Sequence, residues 1–197
     1  MIMKKKTSRT LQAERTKSHI LDEALKLMKY KNFDDISIQE ICENSGISTG
    51  AFYHHFGSKS GIVVAAYTRT DEFFQDEVIK KIDSSNIKNA IIGYLCEQGL
   101  YAKNMGVDII RNIYKAQMDN ASAFFLSAER GLPKGLHQLV EKGLDNGELC
   151  SDKTADQITE ELLIISRGIL YNWAISFGEY DIAKKTFSII DAYLQSI

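Results

Sequence analysis

Ile47-Ser48-Thr49-Gly50-Ala51-Phe52-Tyr53-His54-His55-Phe56-Gly57-Ser58-Lys59 decides how this chain is read. Ser48 is a helix-capping residue and Gly57 a terminator, so the stretch predicts one short helix reaching Phe56. At about 100° per residue, Phe52 and Phe56 share one stripe of that helix. Gly50, Tyr53 and His54 lie on the opposite side, with Thr49 and His55 flanking. A helix buried through two Phe thus turns small, hydrogen-bonding and aromatic residues outward. Its N-terminus presents free amides and a positive partial charge, which suit a phosphate.

Just upstream, Ser37-Ile38-Gln39-Glu40 has the capping-box pattern, with the Ser hydroxyl and Glu carboxylate each satisfying a free backbone amide. It opens a helix, with Ile38, Ile41 and Cys42 inward, that Gly46 breaks. Short helices joined by a tight Gly turn form a helix-turn-helix pattern. A first helix precedes them from about Ser8 to Lys31, its stripe Ile20, Leu21, Ala24, Leu25, Leu27 and Met28. Asn32 stands past its end, where a left-handed residue is wanted. Ser58 caps a fourth helix to about Asp83. Apolar residues then recur at three and four, predicting helices near Ile87–Lys103, Val107–Met118, Ala121–Glu129, Pro133–Asp145, Thr154–Phe177 and Asp181–Gln195. No segment alternates with period two, and Pro133 is the single proline. The expected fold is all-α.

At this point the residues carry a family. The stretch Ser37 to Ile62 resembles the DNA-binding domain of TetR-family transcriptional regulators, whose pattern is Gly-Val-Ser-x-Gly-x-Phe/Leu-Tyr-x-His-Phe-x-Ser/Thr-Lys. Gly46, Ile47, Ser48, Gly50, Phe52, Tyr53, His55, Phe56, Ser58 and Lys59 meet it. The resemblance region covers about Ser8 to Tyr67; beyond it the likeness is one of length, helicity and Arg167-Gly168…Trp173. Asn32, Cys42 and Ser60-Gly61 depart from the usual residues, none on the expected DNA face. The resemblance implies that Ser37, Ser48, Tyr53, His55 and Lys59 grip phosphates, while Thr49, Gly50 and His54 approach base edges. The chemistry agrees: hydroxyls, a Lys and helix-start amides hold phosphates and set register without reading sequence. Gly50 lets the backbone approach the groove floor, Thr49 offers a methyl to thymine, and His54 donates to or stacks on a base. Lys4, Lys5, Lys6 and Arg9 form a basic arm suited to the DNA backbone or a minor groove.

Other chemistries find little support. Adjacent His54 and His55 diverge by about 100° on a helix and no third ligand is near, so no metal site is expected. Cys42, Cys96 and Cys150 are odd in number and far apart, as in reduced intracellular thiols. The chain has no G-x-S-x-G, P-loop, H-E-x-x-H or G-x-G-x-x-G motif; no catalytic residue and no cofactor are expected. Met1–Lys6 is basic without an apolar segment after it, and the longest apolar run, Ile62–Tyr67, is too short for a bilayer. A cytoplasmic protein with no membrane partner is expected.

In the C-terminal part, Ile158, Leu162, Ile165 and Ile169 form one stripe, and Leu163, Ser166, Leu170, Trp173 and Phe177 a second. The last helix pairs Ile182, Ile189 and Tyr193 with Phe187, Ile190, Leu194 and Ile197. Two apolar faces imply burial on two sides, hence a homodimer through the two C-terminal helices, with close packing at Gly168. Such a dimer places two recognition helices about 34–36 Å apart on a palindrome. The resemblance implies a repressor that a small molecule releases. Tyr94, Tyr101, Tyr114, Phe124, Phe125 and Trp173 are candidates to line its pocket, and with no evident cluster of buried charge a largely apolar inducer is expected. The expected domains are 1–57 for DNA binding, 58–83 as connecting helix and 84–197 for ligand binding and dimerisation. The rival reading is a helical ligand-binding or adaptor protein without DNA binding.

The net charge of −2 at first argues against DNA, but its distribution reverses the inference. Residues 1–70 hold 11 Lys/Arg and 7 Asp/Glu, net +4; residues 71–197 hold 13 and 19, net −6. A basic head and an acidic body favour contact with a polyanion at one end.

Overall fold

The computed structural model describes residues 7–119 and 123–197, so Lys4, Lys5 and Lys6 lie outside the described residues. Every regular element among the described residues is helical. The chain forms two compact units that divide between Ala66 and Tyr67. This boundary falls inside the segment 58–83 that the sequence pattern reads as a connecting helix.

In the first unit, α1 (Ser8–Leu27) begins at Thr7, whose hydroxyl accepts the Thr10 N–H at 3.3 Å. It buries Ile20, Leu21 and Ala24, with Met28 just past its end. The helix stops before Lys31 because Lys29, Tyr30 and Lys31 wind down through turns. Asn32 is extended (φ −64°) rather than left-handed, since it must swing Phe33 into the core and cap the short 3₁₀ turn Phe33–Asp35. Ser37 caps α2 (Ile38–Ser45) by accepting the Glu40 N–H at 3.0 Å. Only half of the expected box closes: the Glu40 carboxylate takes the Lys31 ammonium instead of returning to the cap. Gly46 adopts φ 65°, the left-handed conformation that lets the chain reverse into Ile47. Ser48 caps α3 (Thr49–Phe56), and α4 (Gly61–Phe73) starts against Ser58, whose Oγ accepts the Gly61 N–H at 3.3 Å. Phe52 and Ile62 are fully buried in this unit.

The second unit takes up the end of α4, which continues through one π turn (Phe74–Val78) into α5 (Ile79–Lys81). Then follow α6 (Ile87–Met105), α7 (Val107–Asp119), α8 (Ala123–Leu126), α9 (Gly131–Asp145), α10 (Ala155–Ile175) and α11 (Ile182–Leu194). The start expected for α8, Ala121, lies outside the described residues. The core joins α6, α9, α10 and α11 through Ile91, Tyr94, Leu95, Leu136, Ile158, Leu162 and Ile190. A second cluster gathers Ala102, Ile110, Ile169, Trp173 and Ile182.

The two stripes expected on α10 are both largely consumed here. Leu163, Ser166 and Trp173 are buried, as are Ile158 and Leu162, but Phe177, expected on the second stripe, is exposed past the end of the helix. The apolar residues that α10 leaves exposed form a different line, Ile164, Tyr171 and Ile175, with Phe187 exposed on α11. Gly168 interrupts that line, and a Cβ built on it meets nothing within 4 Å.

Candidate nucleic-acid interface and effector site

The first unit brings most of the expected contact residues onto and around α3. Ser48 is exposed, and its Oγ accepts the Ala51 N–H at 3.2 Å, so the cap holds the helix start. Thr49, Gly50 and His54 are exposed, and Tyr53 is half-exposed. Their outward position follows from what the other face buries: Phe52 is fully enclosed and stacks on Phe56 at 5.3 Å between ring centroids. The Tyr53 ring stands edge-on to Phe52 at 5.8 Å, which fixes the phenol's direction without burying it. Ser37, also exposed, stands at the start of α2.

Gly50 is the most informative of these. A Cβ placed on it meets only Ser48 Oγ, at the ordinary contact distance of 3.9 Å. Nothing in the unit requires glycine, yet glycine in a helix costs about 0.5–1 kcal/mol relative to Ala. Gly61, by contrast, has an internal reason: a Cβ there would fall 2.0 Å from the Phe56 carbonyl oxygen.

His55 and Lys59 sit lower. His55 is half-buried; burial, then His54 and Lys17, push its pKa below the ordinary histidine value. The Lys59 ammonium donates to the Asp34 carbonyl at 3.0 Å and lies 4.7 Å from the Phe33 ring centroid. Burial lowers its pKa against the opposing pull of Asp34 and Asp35. Lys17, absent from the expected set, reaches from α1 to within 5.9 Å of the Phe56 ring centroid. The polar face of α1 carries Arg15 and Lys17 in its sequence, a signal available to any reading that extends the basic arm into the helix.

In the second unit the six aromatics expected around a ligand fall in three places. Tyr94 is fully buried in the main core, its hydroxyl donating to the Leu132 carbonyl at 3.1 Å. Tyr101 stacks on Phe73 at 5.1 Å. Trp173 belongs to the second cluster. Tyr114, Phe124 and Phe125 share a neighbourhood with Tyr67, whose ring lies 5.1 Å from that of Phe125. A separate cleft of about 270 Å³ is lined by Phe73, Glu77, Val78, Lys81, Ile82 and Glu97, none of them among the six.

The sequence shows no buried charge cluster, but the fold makes one beside Tyr67. Asp71 of α4 and Arg130 before α9 pair at 2.8 Å with side chains 10% and 8% exposed. Asp71 also accepts the Leu132 N–H at 3.1 Å, so one carboxylate binds a guanidinium and caps the start of α9. Arg130 lies 4.6 Å from the Tyr67 ring centroid, and Arg167 of α10 donates to the same Phe125 carbonyl as Arg130. Partners 59 residues apart in sequence leave no local pattern, which is why periodicity misses them.

Comparison with known proteins bears on both units. Residues 20–66 match the family model described as bacterial regulatory proteins, tetR family. The chain is 23% identical to the HTH-type transcriptional regulator AcrR of Shigella flexneri, across 93% of this chain and 90% of that one. It is 33% identical to the regulator UidR of Escherichia coli over 61 residues, 31% of each chain. Among solved structures, Thermus thermophilus FadR, a TetR-family repressor in complex with lauroyl-CoA, superposes with a TM-score of 0.72 at 14% identity, covering 91% of this chain and 93% of that one. RolR in complex with resorcinol superposes with a TM-score of 0.63 at 19% identity, covering 93% and 89%. With the outward-facing α3, residues 20–66 carry a DNA-binding region of the tetR family of bacterial regulatory proteins, and the chain is similar along most of its length to HTH-type transcriptional regulators.

Proposed function

We propose that the chain is a repressor that binds a palindromic operator as a homodimer and is released by a small molecule. The carrying observation is Gly50: an exposed helical glycine with no internal requirement, flanked by Thr49, Tyr53 and His54. In this reading Ser37, Ser48, Tyr53, His55 and Lys59 hold phosphates, and Thr49, Gly50 and His54 face base edges. Lys59 keeps N–H donors beyond its bond to Asp34, so the turn it braces and the phosphate it binds are served together. A gel-shift titration on DNA upstream of its own gene tests the reading; absence of binding there and in a genome-wide selection would favour a DNA-independent adaptor.

Dimerisation rests on Ile164, Tyr171, Ile175 and Phe187, large apolar side chains on the two C-terminal helices that this subunit leaves exposed. Gly168, in their midst, allows a partner helix to approach closely. Ile164→Glu should convert the dimer to monomer in sedimentation velocity while leaving the helical signal unchanged. Effector release has support in relatives of this fold solved with ligands, lauroyl-CoA in one and resorcinol in another. Asp71 links the effector neighbourhood to α4, a helix that begins in the first unit and ends in the second.

A further inference from the structure

We propose that Arg167 and Arg130 form the anion-recognising end of the effector site, so that the effector is a carboxylate on an apolar body. This deepens the effector part of the proposed function and rests on it. The argument is one of charge pairing. Arg130 and Asp71 meet in two bonds, Nε to Oδ2 at 2.8 Å and Nη2 to Oδ1 at 3.1 Å. That is the forked geometry in which guanidinium prefers a carboxylate. One internal carboxylate thereby satisfies one guanidinium. The third side of Arg130 donates through Nη1 to the Phe125 carbonyl at 3.2 Å.

Arg167 points at that same carbonyl, with Nη2 at 3.5 Å. Two guanidinium groups thus converge on one uncharged acceptor, and only one of them has a carboxylate. The nearby phenols do not make up the deficit. Tyr67 spends its hydroxyl on Gln117 Oε1 at 2.7 Å, and Tyr114 donates to the backbone carbonyl of Arg167 at 3.1 Å. Glu160 lies two turns back on α10 and is exposed. No carboxylate of the described residues pairs with Arg167. Burial, then the neighbouring Arg130, push its pKa below the ordinary arginine value, against the smaller opposing pull of Tyr67, Tyr114 and the exposed Glu160. A ligand carboxylate supplies the counter-charge and accepts two parallel N–H bonds from Arg167. The rings of Tyr67 and Phe124 lie against Arg130, so aromatic neighbours stand beside the cations, and a cationic ligand meets two like charges.

The test titrates the full-length protein by calorimetry with matched probes below their micellar concentrations: dodecanoate, dodecanol and dodecylammonium, then 2-naphthoate and 2-naphthol. At least one carboxylate should bind roughly tenfold to a hundredfold more tightly than its uncharged and cationic counterparts. Arg167→Gln should erase that preference and Arg167→Lys should retain part of it, with circular dichroism confirming the fold of each. Should Arg167→Gln fail to fold, Arg167→Lys and the preference of the unaltered chain decide the matter. The proposal is overturned if no carboxylate binds, if alcohol or ammonium binds as tightly, or if Arg167→Gln keeps the preference. A parallel gel shift separates the two readings: operator binding without carboxylate preference sinks the anion site alone, whereas absence of operator binding sinks the regulator.

Discussion

Gly50→Ala separates fold from function in one substitution. The added methyl meets Ser48 Oγ at 3.9 Å and nothing else within 4 Å, so it introduces no clash inside the chain. Gly50 is the second residue of α3, where Ala is favoured over Gly by up to about 1 kcal/mol. In a chain of this size 1 kcal/mol moves Tm by about 2–4 °C, so the melting temperature should hold or rise within that range. Operator affinity should move the other way. A methyl on the face that approaches the groove forces α3 outward and loosens every contact beside it; a tenfold loss corresponds to about 1.4 kcal/mol, and at least that is expected. The assay is a thermal melt and a gel-shift titration on the same preparation, both at one stated salt concentration because phosphate contacts are salt-dependent. A variant that melts lower, or that binds operator as tightly as the parent, refutes the assignment of Gly50 to a DNA-facing surface.

Other outcomes follow from the same geometry. Tyr53→Phe removes one exposed hydroxyl and should weaken binding across all sequences with an unchanged melt, whereas His54→Ala should alter base preference in a randomised-site selection more than it alters non-specific affinity. Asp71→Ala strands the Arg130 guanidinium and the Leu132 N–H, and should cost about 3–5 kcal/mol in denaturant unfolding, of which Asp71→Ala/Arg130→Met regains a large part. The pKa of His55 is lowered in the folded chain, so the unfolded chain binds its proton first. Stability from His55 is therefore full above about pH 6.5, the unfolded value, and declines as pH falls through it toward the folded value. His55→Gln should flatten the melting temperature in that window.

Local rules carried the reading of the first unit almost to its end. Capping hydroxyls at Ser37, Ser48 and Ser58 and the left-handed Gly46 act within three or four residues, so they write themselves into the chain. Where local rules compete, tertiary demand wins. Asn32 gives up the left-handed conformation because Phe33 must reach the core, and Glu40 leaves its capping box for Lys31. In the second unit the helices are visible from periodicity, but which stripe of α10 meets which neighbour is not. Leu163 and Trp173 pack inside the subunit, and the exposed line shifts to Ile164, Tyr171 and Ile175, because helix orientation depends on partners far along the chain. Asp71, Arg130 and Arg167 are separated by 59 and 37 positions, beyond the reach of any periodicity.

Gly50, Ile164 and Arg167 are three of the residues whose identity the folded chain does not itself explain. Gly50 gives up helix stability on an exposed face with free space around it. Ile164 holds a large apolar side chain in solvent at 59% exposure. Arg167 brings a second guanidinium to a carbonyl already used by Arg130, and the neighbouring carboxylate, Asp71, is taken by Arg130. Each departs from a rule the neighbouring residues obey, and such departures concentrate where a partner supplies what the chain lacks. In the proposed reading the partner differs in each case: a close-approaching polyanion surface for Gly50, an apolar helix face for Ile164 and an organic anion for Arg167. Ile164 and Arg167 stand three apart on α10, near enough for their substitutions to couple, so additivity within about 0.5 kcal/mol on stability is expected only between Gly50, in the other unit, and each of them. Function behaves differently. If effector binding and operator binding are coupled, Arg167→Gln should leave operator affinity intact without effector and abolish its response to a carboxylate, while Gly50→Ala should weaken operator binding and leave carboxylate affinity unchanged. A Gly50→Ala chain that lost carboxylate binding would show that the two sites are not the separate ones this assignment requires.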